Sequence, residues 1–225
     1  MFTLKTLKSF LALAIFAVVT SAHAVPKRIF QDLKLPTQQM VEKFTISDPI
    51  AALATRVVSG TAGATSAAVA TLTTFTLQPD VPRNITVTPG GTTGDVEACV
   101  VTITGTNYKN AVISEDFTFI ADASTVQTGN KAFKTVTSAS WAANCESGSF
   151  AATWSIGVGE KLGLNHCLAK AGHVLGSTIS GAWETTRPTM AASASAIESN
   201  TADFNGTMDG SADFEIFYFQ NFLCL

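Results

Sequence analysis

An all-β chain, folded as an antiparallel β-sandwich or barrel-like domain behind a partly helical, irregular N-terminal arm, is the fold class this sequence predicts. Three observations carry it. Short runs rich in Thr, Val, Ile and Phe recur from about residue 71 onward, and β-branched and aromatic side chains suit half-buried pleated surfaces. Turn residues separate these runs at short intervals, at Pro89-Gly90-Gly91, Gly105-Thr106-Asn107, Gly129-Asn130, Asn205-Gly206 and Asp209-Gly210. No long amphipathic helix pattern lies between them, so the crossovers that a parallel sheet needs are missing.

Three segments follow from the punctuation: 1–24, 25–70 and 71–225. In the first, Lys5 and Lys8 precede an apolar run over residues 10–19, and Ala22-His23-Ala24 follows. That is the layout of a secretory signal peptide ending before Val25, and the run is too short for a membrane span, which needs roughly 20 residues. The alternatives are a hydrophobic N-terminal helix or a true start at Met40. The second segment reads as an arm and linker. Pro26 and Pro36 interrupt it, Asp48-Pro49 ahead of Ile50-Ala51-Ala52-Leu53-Ala54 reads as a capped helix start, and residues 60–70 form a Gly/Ala/Thr/Ser-rich loop or plain edge strand.

The third segment is the β-domain. Thr73, Phe75 and Leu77 share one face; residues 84–88 alternate strictly. Residues 96–104 are almost continuously apolar or Thr, which predicts a central strand covered on both faces. Residues 113–120, 132–137 and 154–158 follow, the last with Trp154, Ile156 and Val158 alternating against Ser155 and Gly157. Beyond Leu164, residues 173–179, 189–194 and 214–219 complete the set.

Charged residues make up only 14% of the 225, and the net charge is -3. Such a surface carries no electrostatic footprint for a phosphate backbone or anionic lipid, so nucleic acid is not expected as a partner. The four cysteines, Cys99, Cys145, Cys167 and Cys224, allow three connectivities. Export would favour bridges, and assembly in a reducing cytoplasm would leave buried thiols. Their spacing fits no zinc pattern.

Reactive constellations are sparse. There is no G-x-S-x-G, and beyond residue 24 the only histidines are His166 and His173. Glu115, Asp116, Glu160 and Asp203 are available as paired carboxylates, but solvated strand-end charge is the simpler reading. Gly157-Val158-Gly159 with Gly163 lacks dinucleotide spacing and a following helix, so a tight turn after a buried strand is expected. Asp203, Asn205, Asp209, Gly210 and Asp213 resemble a calcium loop in composition only. Asn84-Ile85-Thr86 and Asn205-Gly206-Thr207 match the N-glycosylation pattern. No cofactor is implied.

A set of ordered segments resembles a known family. Pro79-Asp80-Val81-Pro82-Arg83-Asn84-Ile85-Thr86-Val87 looks like the opening of small tailed-phage virion structural proteins and their prophage relatives. The similarity continues through Ile103-Thr104-Gly105-Thr106-Asn107, Ile113-Ser114-Glu115 and Gly129-Asn130-Lys131-Ala132-Phe133-Lys134-Thr135-Val136-Thr137. It ends with Ile156-Gly157-Val158-Gly159-Glu160-Lys161-Leu162-Gly163-Leu164 and Asn200-Thr201-Ala202-Asp203-Phe204-Asn205-Gly206. The signal-like N-terminus and the four cysteines depart from that pattern.

The resemblance implies a non-enzymatic capsid-decoration or minor head protein, or else a tail or neck component. It would be a homo-oligomer assembled in the host cytoplasm against the major capsid protein or neighbouring subunits. Trp141, Trp183 and the Phe217/Phe219 edge are the expected interface anchors, because exposed aromatic side chains dominate contact energetics. An exported β-sandwich binding or adhesion module is the alternative from a different class. An exported hydrolase would need a cleft with His166 or His173 in reach of a nucleophile.

Overall fold

The computed structural model describes residues 41–62, 70–92, 94–145 and 151–219, and every regular element of any length there is a strand. In chain order these are β1 (Val41–Ile46), β2 (Leu53–Ala62), β3 (Ala70–Leu72), β4 (Arg83–Gly90), β5 (Cys99–Thr106), β6 (Val112–Phe119) and β7 (Gln127–Phe133). There follow β8 (Thr135–Trp141), β9 (Thr153–Gly163), β10 (Val174–Ile179), β11 (Ala182–Trp183), β12 (Thr189–Ala191), β13 (Thr201–Asp203) and β14 (Phe214–Phe219). The helical residues among those described are three single 3-10 turns. All pairings are antiparallel, as the all-β expectation requires.

Three sheets result. One runs β12-β13-β9-β4-β7, with β2 also paired to β9; a second runs β3-β8-β5-β6; the third runs β1-β14-β10-β11. The first two face each other across a core containing Ile85, Val87, Val101, Ile103, Phe117, Phe119, Val136, Trp154, Ile156 and Val158. A second core joins the third sheet to the far end of β9 and contains Leu162, Leu164, Leu168, Phe214, Ile216 and Tyr218. The long strand β9 therefore serves both cores: Trp154, Ile156 and Val158 point into the first, and Leu162 into the second. Each such side chain contributes about 1.5–3 kcal/mol on burial. At Lys134 the chain leaves the first sheet and enters the second, since β7 pairs with β4 and β8 with β5.

Several sequence expectations are corrected by this architecture. Residues 41–62 were expected in an arm, yet β1 pairs with β14 along Val41↔Phe219 to Ile46↔Phe214, and β2 pairs with β9. No helix starts at Asp48-Pro49. Asp48 takes a φ of 49°, Asp80 Oδ2 accepts the Ile50 N–H at 2.9 Å, and Leu53 begins a strand. The run at 96–104 is covered on one face only: β5 alternates, with Val100 41% exposed. Two-sided burial belongs to β4 and β9 instead. Residues 73–77 are irregular.

Gly157, Gly159 and Gly163 do not form a turn; all three lie inside β9. Their missing side chains admit neighbours. A Cβ at Gly157 would stand 2.2 Å from the Leu53 carbonyl oxygen, and one at Gly159 would stand 2.5 Å from Asn84 Nδ2. The residues of segment 1–24, including its signal-like stretch, and the possible start Met40 lie outside the described residues.

Candidate functional site

The expected anchors divide sharply by position. Trp141 is 3% exposed in the first core, with its ring 6.4 Å from that of Trp154, so it is no outward anchor. Its indole is large enough to fill the space between two sheets, which is why aromatic content alone misplaces it. Trp183, by contrast, is 64% exposed and lies against Phe217, ring centroids 4.9 Å apart and planes 31° apart.

Local chemistry puts Trp183 there. β10 and β11 are joined by Ser180-Gly181, both with positive φ (48° and 80°), the backbone of the two-residue hairpin turn that matches strand twist. The turn pairs Thr178 with Trp183 and folds the indole over Gly176, where an added Cβ would come within 2.8 Å of Trp183 Cζ3. Gly176 in turn is the register partner of Phe217. Glycine at 176 is what lets the indole lie flat on the strand.

On β14 the side chains alternate: Phe214, Ile216 and Tyr218 are buried, while Glu215, Phe217 and Phe219 are half-buried on the outer face. Val41 opposite Phe219 is also exposed. The outer face of the third sheet thus carries Trp183, Phe217, Phe219 and Val41 as an apolar strip. A polar edge adjoins it. Glu215 accepts from Lys43 Nζ at 2.6 Å, from Thr178 Oγ1 at 2.7 Å and from Thr45 Oγ1 at 3.5 Å. Glu184 is held by Ser177 Oγ and by the Asn205 N–H at 2.9 Å.

Of the four carboxylates singled out above, Glu115 and Asp116 occupy structural positions. Glu115 accepts the Asn130 and Lys131 N–H groups at 2.7 and 3.3 Å, and Asp116 accepts from Thr102 Oγ1 at 2.7 Å. The calcium-like set is dispersed: Asp209 caps Ser211, which holds its carboxyl below the usual range, while Asn205 binds the Thr186 carbonyl at 3.0 Å. Among the described residues no three His, Cys, Asp or Glu side chains come together. Asn84 is fully buried, so the folded chain offers no acceptor at that N-glycosylation pattern.

His166 lies in a polar cluster. Its Nδ1 is 3.2 Å from Tyr218 Oη and 3.4 Å from Glu42 Oε1, and Tyr218 Oη also reaches Asn165 Oδ1 at 2.6 Å. Burial, and the charge of Glu42, push the Tyr218 phenol far above its ordinary value. A hydroxyl so held is a donor that locks β14 to the 165–166 loop, the reverse of an activated nucleophile. His173 places a buried Nδ1 with no hydrogen-bond partner among the described residues.

Cys99 and Cys145 are joined by a disulfide, and Cys167 is disulfide-bonded too, so none of the three is a buried thiol. Cys224 lies outside the described residues. The sequence signal that marks the aromatic face, beyond its aromatics, is the Gly176 and Ser180-Gly181 pair, which reads as ordinary turn and loop composition until the register is known. Among the described residues no helix is long and apolar enough to cross a membrane. Compared with family models, curated proteins and solved structures, the chain has no match.

Proposed function

We propose that this chain is a non-enzymatic structural protein of a phage particle, a capsid-decoration or minor head component, that docks through the outer face of its third sheet. The observation that carries a docking role is the exposed indole of Trp183, laid on Phe217 and seated over Gly176. Large rigid aromatics lose little conformational freedom on contact and are the usual energetic centres of interfaces. Many equivalent contacts on a lattice make modest affinity at each one sufficient. The phage assignment itself rests on the ordered segments from Pro79 to Gly206 quoted above.

Mass spectrometry of purified particles tests this reading directly. The chain should copurify at a fixed copy number. A Trp183→Ala/Phe217→Ala variant should be lost from particles while keeping its unfolding midpoint. A wild-type chain absent from every particle fraction overturns it.

A second reading, the exported binding or adhesion module, is favoured by one specific observation: Cys99, Cys145 and Cys167 are all oxidised, the state typical of an oxidising compartment. N-terminal sequencing of native material separates the two. A first residue at Val25 supports export, and one at Met1 or Met40 supports cytoplasmic particle assembly.

A further inference from the structure

A second site lies on a different sheet, and its argument stands apart from the reading of the aromatic face. The face of the first sheet turned away from the core carries a groove of about 600 Å³, within the size range of small-ligand sites. Its floor is made by Thr86 and Thr88 of β4 and by Thr128 of β7, the register partner of Thr86. Gly157 faces Thr86 from β9 and adds no side chain.

Leu53 and Val126 line the groove from β2 and from the start of β7, the strands flanking the β9–β4 pair; each is 47% exposed. Glu160, Lys161 and Asp203 complete it, Lys161 and Asp203 being register partners.

Asn84 in the lining is fully paired, but two hydroxyls of the floor are not. Thr86 is only 7% exposed, and neither its Oγ1 nor that of Thr88 has a hydrogen-bond partner among the described residues. A buried hydroxyl left this way carries an uncompensated desolvation cost, so a group that pairs with it is favoured. Glu160 and Asp203 form no ion pair at contact distance within the described residues, although the charge of Glu160 is felt by the buried Arg83. Lys161, in the same lining, has its Nζ drawn to Asn130 Oδ1 at 2.6 Å. The groove therefore presents two carboxylates between two aliphatic side chains, with the unpaired hydroxyls of Thr86 and Thr88 buried in its floor.

We infer that this groove binds a primary alkylammonium group on an apolar stem, the chemistry of a lysine side chain presented by a partner. An ammonium brings three rotatable donors and the positive charge that two carboxylates call for, and its methylenes fit against Leu53 and Val126. An anion would meet Glu160 and Asp203. A sugar would find no aromatic ring in the lining. A guanidinium is served best by one bidentate carboxylate, whereas these acceptors come from separate strands.

The experiment is a titration of the full chain with Nα-acetyl-lysine methylamide, followed by amide NMR shifts and calorimetry. Nα-acetyl-norleucine methylamide and methyl glucoside are the comparators. Expected are saturable shifts at Thr86, Thr128 and Asp203, absent with both comparators. Affinity should fall about tenfold in Asp203→Asn and in Glu160→Gln, the scale of one hydrogen bond to a charged group. Thr86→Val should fall by a similar factor while keeping or raising the unfolding midpoint, because its hydroxyl satisfies nothing in the free protein. No saturation at millimolar lysine amide, equal binding of either comparator, or wild-type affinity in the carboxamide variants would overturn the assignment. A Thr86→Val chain of lowered stability would do so too, since its hydroxyl would then already be paired.

Discussion

Asn84 Oδ1 accepts the backbone N–H of Lys161 at 2.9 Å, and the same carboxamide donates from Nδ2 to the Gly129 carbonyl at 3.0 Å. The register explains why a side chain is needed. From Arg83 to Ile85 β4 advances two residues while β9 advances four, from Leu162 back to Val158. From Asn84 to Thr86 it again advances two while β7 advances four, from Ala132 to Thr128. Both neighbours bulge at the same level, and the carboxamide of Asn84 stands in for the peptide groups missing between them.

Asn84→Ala should therefore lower stability by about 2–5 kcal/mol, the loss of two hydrogen bonds whose backbone partners stay buried. Gly159→Ala should act in the same direction, because its Cβ would press on the Asn84 carboxamide. Urea denaturation measures both. An Asn84→Ala midpoint within error of wild type would mean that water replaces the carboxamide, and the bridging role would be wrong.

Arg83 sits beside this bulge with no exposed surface. Burial lowers its pKa and the neighbouring Asp80 raises it, with burial the larger influence. Its Nε donates to the Gly159 carbonyl at 2.7 Å, and Nη1 donates to the Ile50 carbonyl at 2.8 Å and to Asp80 Oδ1 at 3.2 Å. One guanidinium thus ties the β9 bulge to the loop before β2. Breaking such a pair from one side strands a charge, so Asp80→Asn should cost about 3–5 kcal/mol. The double variant Arg83→Met/Asp80→Asn should recover part of that loss. A double-mutant cycle in chemical denaturation reads the coupling, and additive single effects would contradict it.

The Cys99–Cys145 bridge spans a sequence separation of 46 residues and joins the start of β5 to the turn after β8. In the chain-entropy description, removing it costs about 4 kcal/mol. Cys99→Ser/Cys145→Ser should unfold at correspondingly lower denaturant, and wild type in strong reductant should unfold lower still, because the Cys167 linkage is reduced as well. Peptide mapping without reductant should recover the two cysteines linked, with Cys167 in a second linkage. Free-thiol labelling of native Cys99 or Cys145 would refute this.

How far the sequence disclosed these features depends on the range of the interaction concerned. The strands from β4 to β14 were legible where alternation and turns are local, as in Asn84–Thr88 and Phe214–Phe219. β1 and β2 were not, because Val41–Ile46 becomes a strand only by pairing with β14, more than 160 residues away. Composition made the 157–163 glycines a turn; register makes them room for Leu53, Asn84 and Ala132. Of the four proposed anchors, Trp183, Phe217 and Phe219 share an outer face while Trp141 is core, a distinction that needs the sheet order. Nothing in the sequence marks the bridging role of Asn84 or the groove position of Thr86 and Thr128; Asn84-Ile85-Thr86 reads there only as an alternating run and a glycosylation pattern. Their meaning arises from two bulges that a single strand's pattern does not contain.

Glu215 makes a pH prediction at the edge of the aromatic face. Hydrogen bonds from Lys43 and Thr178, Lys43 first, hold its carboxyl below the usual glutamate value of 4.5. A folded-state pKa below the unfolded one means that the charged form favours folding. That contribution is complete above the unfolded value and is lost as pH falls through the folded one. Stability should therefore decline on acidification below about pH 4.5 with a component that Glu215→Gln removes. Lys43→Ala should reduce the same component, because it takes away the main cause of the depression. Denaturation midpoints at pH 3 to 6 for the three proteins make the comparison. Protonation of Glu215 also frees Lys43 beside Phe217, so Trp183 fluorescence should change over the same acid range in wild type and not in Glu215→Gln. Parallel pH profiles in the wild type and Glu215→Gln would show that the Lys43–Glu215–Thr178 contact does not organise this edge.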